Sequence, residues 1–227
     1  MGRLYIVATP IGNLGDMTYR AVEVLRGCRQ IACEDTRQSR KLVQHYGISV
    51  PLIPCHGHNE ERCIPRILEY LEEDADIAYI SDAGTPGVSD PGSRLVRAVR
   101  EAGHTVSPIP GASAVGALVS VSGVAGRGWW FEGFLPPKGT KRLNRLEELA
   151  RQGDPFIVYE SPHRIGKFFD ELAVVAPGYS VVIGREMTKI YEQIVSCTVE
   201  EAGEMVQSGQ IPGKGEFAIL VWTGKKR

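Results

Sequence analysis

The chain has 227 residues, with 26 lysines and arginines against 27 aspartates and glutamates, a formal net charge of −1. That balance excludes a protein that coats nucleic acid through bulk charge, so any RNA or DNA contact needs a local basic patch. At 43% hydrophobic and 23% charged, the chain is too apolar for disorder and long enough for one large or two small domains with real cores.

The longest apolar runs, such as LYIVA, are strand-sized, and none approaches the ~18 residues of a membrane span. MGRLYIVATP enters a strand-like run at once, so no signal peptide is expected. The five cysteines (Cys28, Cys33, Cys55, Cys63 and Cys197) lack tight spacing. They read as reduced thiols, and the cytoplasm is the expected compartment.

Residues 4–9 (LYIVAT) are β-branched and aromatic and predict a first strand. The loop PIGNLGD follows. Asp16 is placed to cap a helix from near Met17, and Gly27 to end it. IACE is a second strand, with a helix near 37–46 behind it. Residues 50–54 form a short strand, and CHGHNEE leads into a helix through EYLEED. IAYIS (77–81) is followed by SDAGTPGVSDPG, the helix SRLVRAVREAG, the strand TVSPI and a Gly-interrupted helix in PGASAVGALVSV. Gly123–Gly128 is glycine-rich and reads as a linker, which divides the chain into α/β domains at 1–124 and 125–227. Beyond it WWFEGF, FIVYES, YSVVIGRE and FAILVWT read as strands, with helices near 140–152, 162–175 and 198–208. Strands alternating with helices predict an α/β protein. The terminal GKKR reads as a solvated tail.

The segment from Ser81 to Gly92 is the most informative. It leaves a buried-looking strand, and twelve residues without a large apolar side chain serve poorly as core. Its glycines let backbone approach a ligand, and ligands bind beyond the carboxyl ends of strands in open α/β sheets. Asp82 and Asp90 can accept hydrogen bonds from hydroxyl or ammonium groups. Asp90 can equally cap the next helix, with Pro91 at its first position. Neither G-x-x-x-x-G-K-[ST] nor G-x-G-x-x-G is present, which argues against an NTPase or a standard dinucleotide enzyme. The Thr9–Asp16 loop and Pro110–Ser113 also follow strands, so all three loops share one sheet edge if the strands are parallel.

Cys55-His56-Gly57-His58-Asn59-Glu60 is the densest titratable cluster, with Asn59 as an alternative helix cap. Its spacing with Cys63 matches no standard zinc site, and no metal is expected. In Glu34-Asp35-Thr36-Arg37, Asp35 or Thr36 reads as a helix cap, and Arg37 as a candidate contact to RNA phosphate. Lys138, Lys141, Arg142 and Arg145 fall within eight residues free of acids. With His163, Arg164 and Arg185 they could form a basic patch, or the helix could simply be solvated, since Glu147 and Glu148 follow. Trp129, Trp130 and Phe131 read as strand core.

In order along the chain, ATPIGNLGD, CEDTR, HNE, SDAGTPGVSDPG, PGAS, GFLPPK, YESPHR and REMTKIYEQ resemble the ribosomal RNA small subunit methyltransferase I group of the tetrapyrrole methylase superfamily. The resemblance covers nearly the whole chain. It implies two α/β domains with an S-adenosylmethionine-binding cleft between them, and a homodimer. It implies methyl transfer to the 2′-hydroxyl of a cytidine in the decoding region of 16S ribosomal RNA in the small ribosomal subunit. By position it assigns cofactor contacts to Pro10, Asp82, Ala83, Gly84, Val88, Ser113, Tyr159, Gly215, Glu216 and Phe217. Arg37, Lys138, Lys141, Arg142, Arg164 and Arg185 become candidate RNA contacts. Deprotonating a ribose hydroxyl calls for a base, and His56, His58, Glu60, Glu34, Asp35 and Asp82 stay open for that role. Two other readings stand beside this one. One is a methylase of porphyrin or corrin precursors, and the other is a non-catalytic RNA-binding assembly factor.

Overall fold

The computed structural model describes residues 2–124 and 128–224. Ala125, Gly126 and Arg127 of the expected linker, and Lys225–Arg227 of the expected tail, lie outside the described residues. The chain divides into two compact units, Met1–Ser113 and Ala114–Arg227.

The first unit holds strands β1 (Arg3–Val7), β2 (Gln30–Cys33), β3 (Leu52–Pro54), β4 (Ile77–Ile80) and β5 (Thr105–Ile109). They form one sheet in the order β3-β2-β4-β1-β5, and every pair is parallel. Helices α1 (Tyr19–Gly27), α2 (Thr36–His45), α3 (Glu60–Glu72) and α4 (Ser93–Glu101) supply the crossovers. Alternate side chains of β4 go to opposite faces. Ile77 and Tyr79 join Ile67, Leu71, Leu95 and Val99 of α3 and α4. Ala78 and Ile80 join Ala21, Leu25 and Val43 of α1 and α2. A strand covered on both faces needs an unbroken apolar run, which is why IAYI shows no polar alternation.

Two helix starts differ from expectation. Asp16 closes a short 3-10 turn, Leu14–Asp16, capped by Asn13, and α1 begins later with Thr18 as its cap. The Thr18 hydroxyl accepts from the Ala21 N–H at 3.1 Å. Asp90 does not cap α4; Gly92 holds that position with a φ of +122°, a conformation that favours glycine.

The second unit begins with α5 (Ala114–Ser122), which packs on β8 and β10 of its own sheet. The domain boundary read at 124/125 would have put this helix with the first unit. The remaining elements are β6 (Trp130–Phe134), α6 (Thr140–Gln152), β7 (Phe156–Glu160), α7 (Ile165–Val175), β8 (Ser180–Arg185), β9 (Gln193–Thr198), α8 (Val199–Gln207) and β10 (Phe217–Trp222). The sheet order is β6-β7-β10-β8-β9. Only β6 and β7 run parallel; the other pairs are antiparallel. Leu146, Leu149, Phe156, Val158, Phe168, Phe169, Leu172, Ile183 and Ile219 form its core. Strand β9 lies in a stretch where the sequence pattern predicts no element. Its sequence, QIVSCT, alternates at the sheet edge, and only Val195 and Cys197 turn toward the core. Among the described residues, no helix is long and apolar enough to cross a membrane.

Candidate functional site

Parallel pairing of β4, β1 and β5 sends the three loops that follow them to one edge of the first sheet. There the loops are tied together by backbone. Thr9 and Gly84 exchange two hydrogen bonds, N–H to O=C, at 2.9 and 3.0 Å. The buried Thr9 hydroxyl donates to the Ser81 carbonyl at 3.3 Å, and Thr85 donates to the Ala112 carbonyl at 3.1 Å. Gly84 has a φ of +79°, and a Cβ there would sit 3.3 Å from Ile11 Cγ2. Thus the first loop, the Ser81–Gly92 loop and the Pro110–Ser113 loop form one braced rim. Pro10 is buried within it, Asp82 and Ala83 are exposed, and Val88 and Ser113 are half-buried.

The rim carries a concentration of acid. The Asp35 N–H donates to Asp82 Oδ1 at 3.1 Å. The segments that follow β2 and β4 are therefore tied together through the Asp82 side chain. Burial pushes Glu34 above the usual carboxylate range, and the Asp82 charge adds to it. Asp82 is also raised, chiefly by partial desolvation of its carboxylate although the residue as a whole is exposed. Asp90 is pushed up to about 6, first by burial and then by Glu34. Asp35 behaves differently, because hydrogen bonds from the Arg37 guanidinium hold it down at about 2. This rim can bind hydroxyls and ammonium groups and can stabilise a positive charge.

The candidate bases separate. His56 faces Glu34 closely enough to lower its pKa. Its ring lies 6.1 Å from that of the exposed His58. Glu60 is a correction: it is 4% exposed, and its Oε1 accepts from the Leu95 N–H at 2.8 Å. It ties α3 to the start of α4 and offers nothing to a substrate. Asn59 caps no helical N–H with its side chain. Instead Oδ1 accepts from the His56 N–H at 2.7 Å and Nδ2 donates to the Pro54 carbonyl, fixing the histidine loop. Among the described residues, no three His, Cys, Asp or Glu side chains gather to hold a metal.

In the second unit, Lys189 Nζ bonds Glu186 at 2.9 Å and Glu216 at 3.1 Å. The Glu216 N–H donates to Glu186 Oε1 at 2.9 Å. Gly215, with a φ of +95°, lies so close that a Cβ would come within 2.4 Å of Glu186 Cγ. Gly215 and Glu216 are thereby locked to the end of β8, and the Phe217 ring is buried in the core. Tyr159 is half-buried against Phe131 and Phe134.

Residues 3–203 match the family described as Tetrapyrrole (Corrin/Porphyrin) Methylases. The chain belongs to the tetrapyrrole methylase family. Proteins named Ribosomal RNA small subunit methyltransferase I are 46% identical in Borrelia garinii subsp. bavariensis, covering 96% of this chain and 97% of that one. The namesake in Xylella fastidiosa strain Temecula1 is also 46% identical, over 97% and 81%. The fold matches the methyltransferase CobJ with a TM-score of 0.72 at 20% identity, over 100% and 96% of the two chains. It also matches a uroporphyrin-III C-methyltransferase from Thermus thermophilus complexed with S-adenosylhomocysteine, with a TM-score of 0.66 at 16% identity over 97% of each chain.

In this tetrapyrrole methylase the basic side chains expected to meet RNA fall into two sets. Arg37, Lys138 and Lys141 are exposed, although Arg37 also pairs with Asp35 at 2.8 Å. Arg142 is a correction. Its side chain is 1% exposed, with Nη2 2.7 Å from Glu160 and Nε 2.6 Å from Glu171. Arg185 is another. Buried at 8%, it donates to the carbonyls of Pro212, Lys214 and Tyr191. Arg164 pairs with Glu160 at 2.8 Å, and Arg145 grips Glu132 and Glu148. None of these four is a spare cation for a phosphate.

The residue missed from sequence is Glu160. Its buried carboxylate takes Arg142, Arg164 and the Ser161 N–H. An acid ending the buried strand FIVYE was the available signal, since a buried charge needs partners. Replacing Arg142 by Met is expected to cost about 3–5 kcal/mol in urea unfolding, because Glu160 and Glu171 lose a buried partner. A loss under about 1 kcal/mol would return Arg142 to the surface set.

Asp90 generates a pH dependence with a definite sign. Its folded pKa, about 6, lies above the ordinary 3.8, so the folded state holds a proton that the unfolded state releases. This contribution is intact below about pH 4 and is lost as pH rises through about 6. Asp90→Asn is therefore expected to be more stable than the parent at pH 7.5 and to show no such gain at pH 4, measured by urea unfolding at both values.

Proposed function

We propose that this protein transfers the methyl group of S-adenosylmethionine to the 2′-hydroxyl of a cytidine in the 16S RNA of the small ribosomal subunit. The observation that carries the reading is 42–46% identity, over nearly the full chain, to proteins named Ribosomal RNA small subunit methyltransferase I. The reading includes a homodimer working in the cytoplasm.

The donor chemistry of the rim fits this cofactor. It offers backbone groups and carboxylates and no phosphate clamp, which suits an ammonium, a ribose diol and a sulfonium. Pro10, Asp82, Ala83, Gly84, Val88 and Ser113 are assigned to that role from the first unit. Tyr159, Gly215, Glu216 and Phe217 are assigned from the second. When bound, S-adenosylmethionine supplies an electrophilic methyl group. The chain itself orients the hydroxyl in line and removes its proton, so positioning and a base do the work. With Glu60 withdrawn, Glu34, Asp82 and His56 are the groups at the rim suited to receive that proton. His58 lies further out on the same loop.

The reading is tested with labelled S-adenosylmethionine and three acceptors: unmodified small ribosomal subunits, naked 16S RNA and uroporphyrinogen. Label mapped by mass spectrometry to a cytidine ribose is the expected result. Label on the tetrapyrrole alone would overturn the substrate, and RNA binding without any cofactor binding would make the protein an assembly factor. Gly84→Leu is expected to keep its overall helix and strand content by circular dichroism while the rim opens at the Thr9–Gly84 crossing, and to lose at least ~10-fold in cofactor affinity, about 1.4 kcal/mol, by calorimetry. Unchanged affinity in a folded variant would remove this loop from the site.

A further inference from the structure

Of the three aromatics expected to be strand core, Phe131 is half-buried, but Trp129 and Trp130 are 45% and 51% exposed. Phe134, further along the same strand, is 56% exposed. Strand β6 lies at the edge of its sheet, and its register with β7 shifts between Phe131 and Gly133. In a regular strand, residues three apart point to opposite faces. The extra residue at the bulge brings Phe131 and Phe134 to the same face. Both rings meet Tyr159 edge-on, with centroids at 5.1 and 5.6 Å. Phe134 is the exposed member of this trio.

The segment after Phe134 is anchored and basic. Leu135 is 2% exposed and sits in the core. The buried Arg142 donates to the Pro136 carbonyl at 3.4 Å. Pro136 and Pro137 stiffen the turn. Lys138 and Lys141 then stand exposed, and residues 133–146 contain no acid. Nearby Glu132 is engaged by Arg145 at 2.6 Å.

We propose that Phe134 is a stacking platform for an unpaired base of the RNA substrate, with Lys138 and Lys141 beside it as phosphate contacts. An exposed aromatic on an anchored segment, with exposed lysines four and seven residues further along it, supplies the two elements by which single-stranded RNA is held. A second copy of the chain fits less well. Symmetric packing through this patch would bring Lys138 and Lys141 toward their own counterparts. The inference rests on RNA being the substrate and assigns that RNA a surface.

The test measures a fluorescein-labelled single-stranded RNA oligonucleotide by anisotropy over a range of KCl concentrations. Phe134→Ala and Phe134→Leu are expected to weaken binding by roughly 5- to 100-fold, with the salt dependence unchanged. Phe134→Trp keeps the affinity, because a larger π-face replaces the smaller one. Lys138→Ala with Lys141→Ala lowers the log–log salt slope by about 0.7 per lost contact. Affinity of Phe134→Ala within about twofold of the parent would overturn the proposal. So would a change of oligomeric state by light scattering with RNA affinity intact, which would make the patch an interface between copies. Methyl transfer by the parent protein to small subunits separates the failures. If the parent transfers and Phe134→Ala matches it, only the platform falls; if the parent neither binds nor methylates RNA, the substrate reading falls first.

Discussion

The pair of backbone hydrogen bonds between Thr9 and Gly84 is the constraint on which the candidate site depends. Parallel strands deliver loops to a common edge but do not order them there. Two reciprocal bonds join the loop after β1 to the loop after β4. Thr85, one residue along, carries the tie to the loop after β5. Gly84 is required at the crossing because its positive φ and the nearby Ile11 leave little room for a side chain. The rim is thereby rigid before any ligand arrives, and pre-organisation lowers the cost of binding.

The two units handle charge in opposite ways. At the rim, Glu34, Asp82 and Asp90 stand near one another, and each is pushed upward by burial. Arg37 pairs directly with Asp35 and offsets the rise at Asp82 only as its smallest influence. In the second unit, Glu160 is more deeply buried, yet two arginines and a backbone N–H satisfy it. A compensated buried charge fixes structure, whereas an uncompensated cluster is held against its own preference by the surrounding fold. Such clusters mark places where a cation or a transferable proton belongs.

Much of this was legible in the sequence. The parallel sheet showed in apolar runs of four to six residues, and the rim showed in a loop too rich in Gly, Pro and Asp to be core. The misreadings have local causes. Asp16 and Asp90 looked like caps, but each loop continues beyond them to Thr18 and Gly92. Strand β9 hid because an edge strand needs apolar residues on one face only. Glu60 looked catalytic beside two histidines, but the first position of a helix turned it inward to meet Leu95.

The basic cluster shows why counting charges along a chain fails where periodicity succeeds. Lys138, Lys141, Arg142 and Arg145 are close in sequence. On a helix, however, Arg142 lies on the stripe of Leu146 and Leu149, at spacings of four and seven, and all three are buried. The apolar stripe thus predicts the inward arginine and implies a buried acid to receive it. The same reasoning runs in reverse for β6. A strand with a tryptophan and two phenylalanines reads as core only if its alternation is unbroken. The bulge at Glu132 breaks it, so residues three apart share a face. Once Arg142 is inside and Phe134 outside, the stretch from Gly133 to Lys141 presents Phe134, Lys138 and Lys141 on the surface. A chain of near-zero net charge can hold RNA only through a feature as local as this, because it has no bulk field to do so.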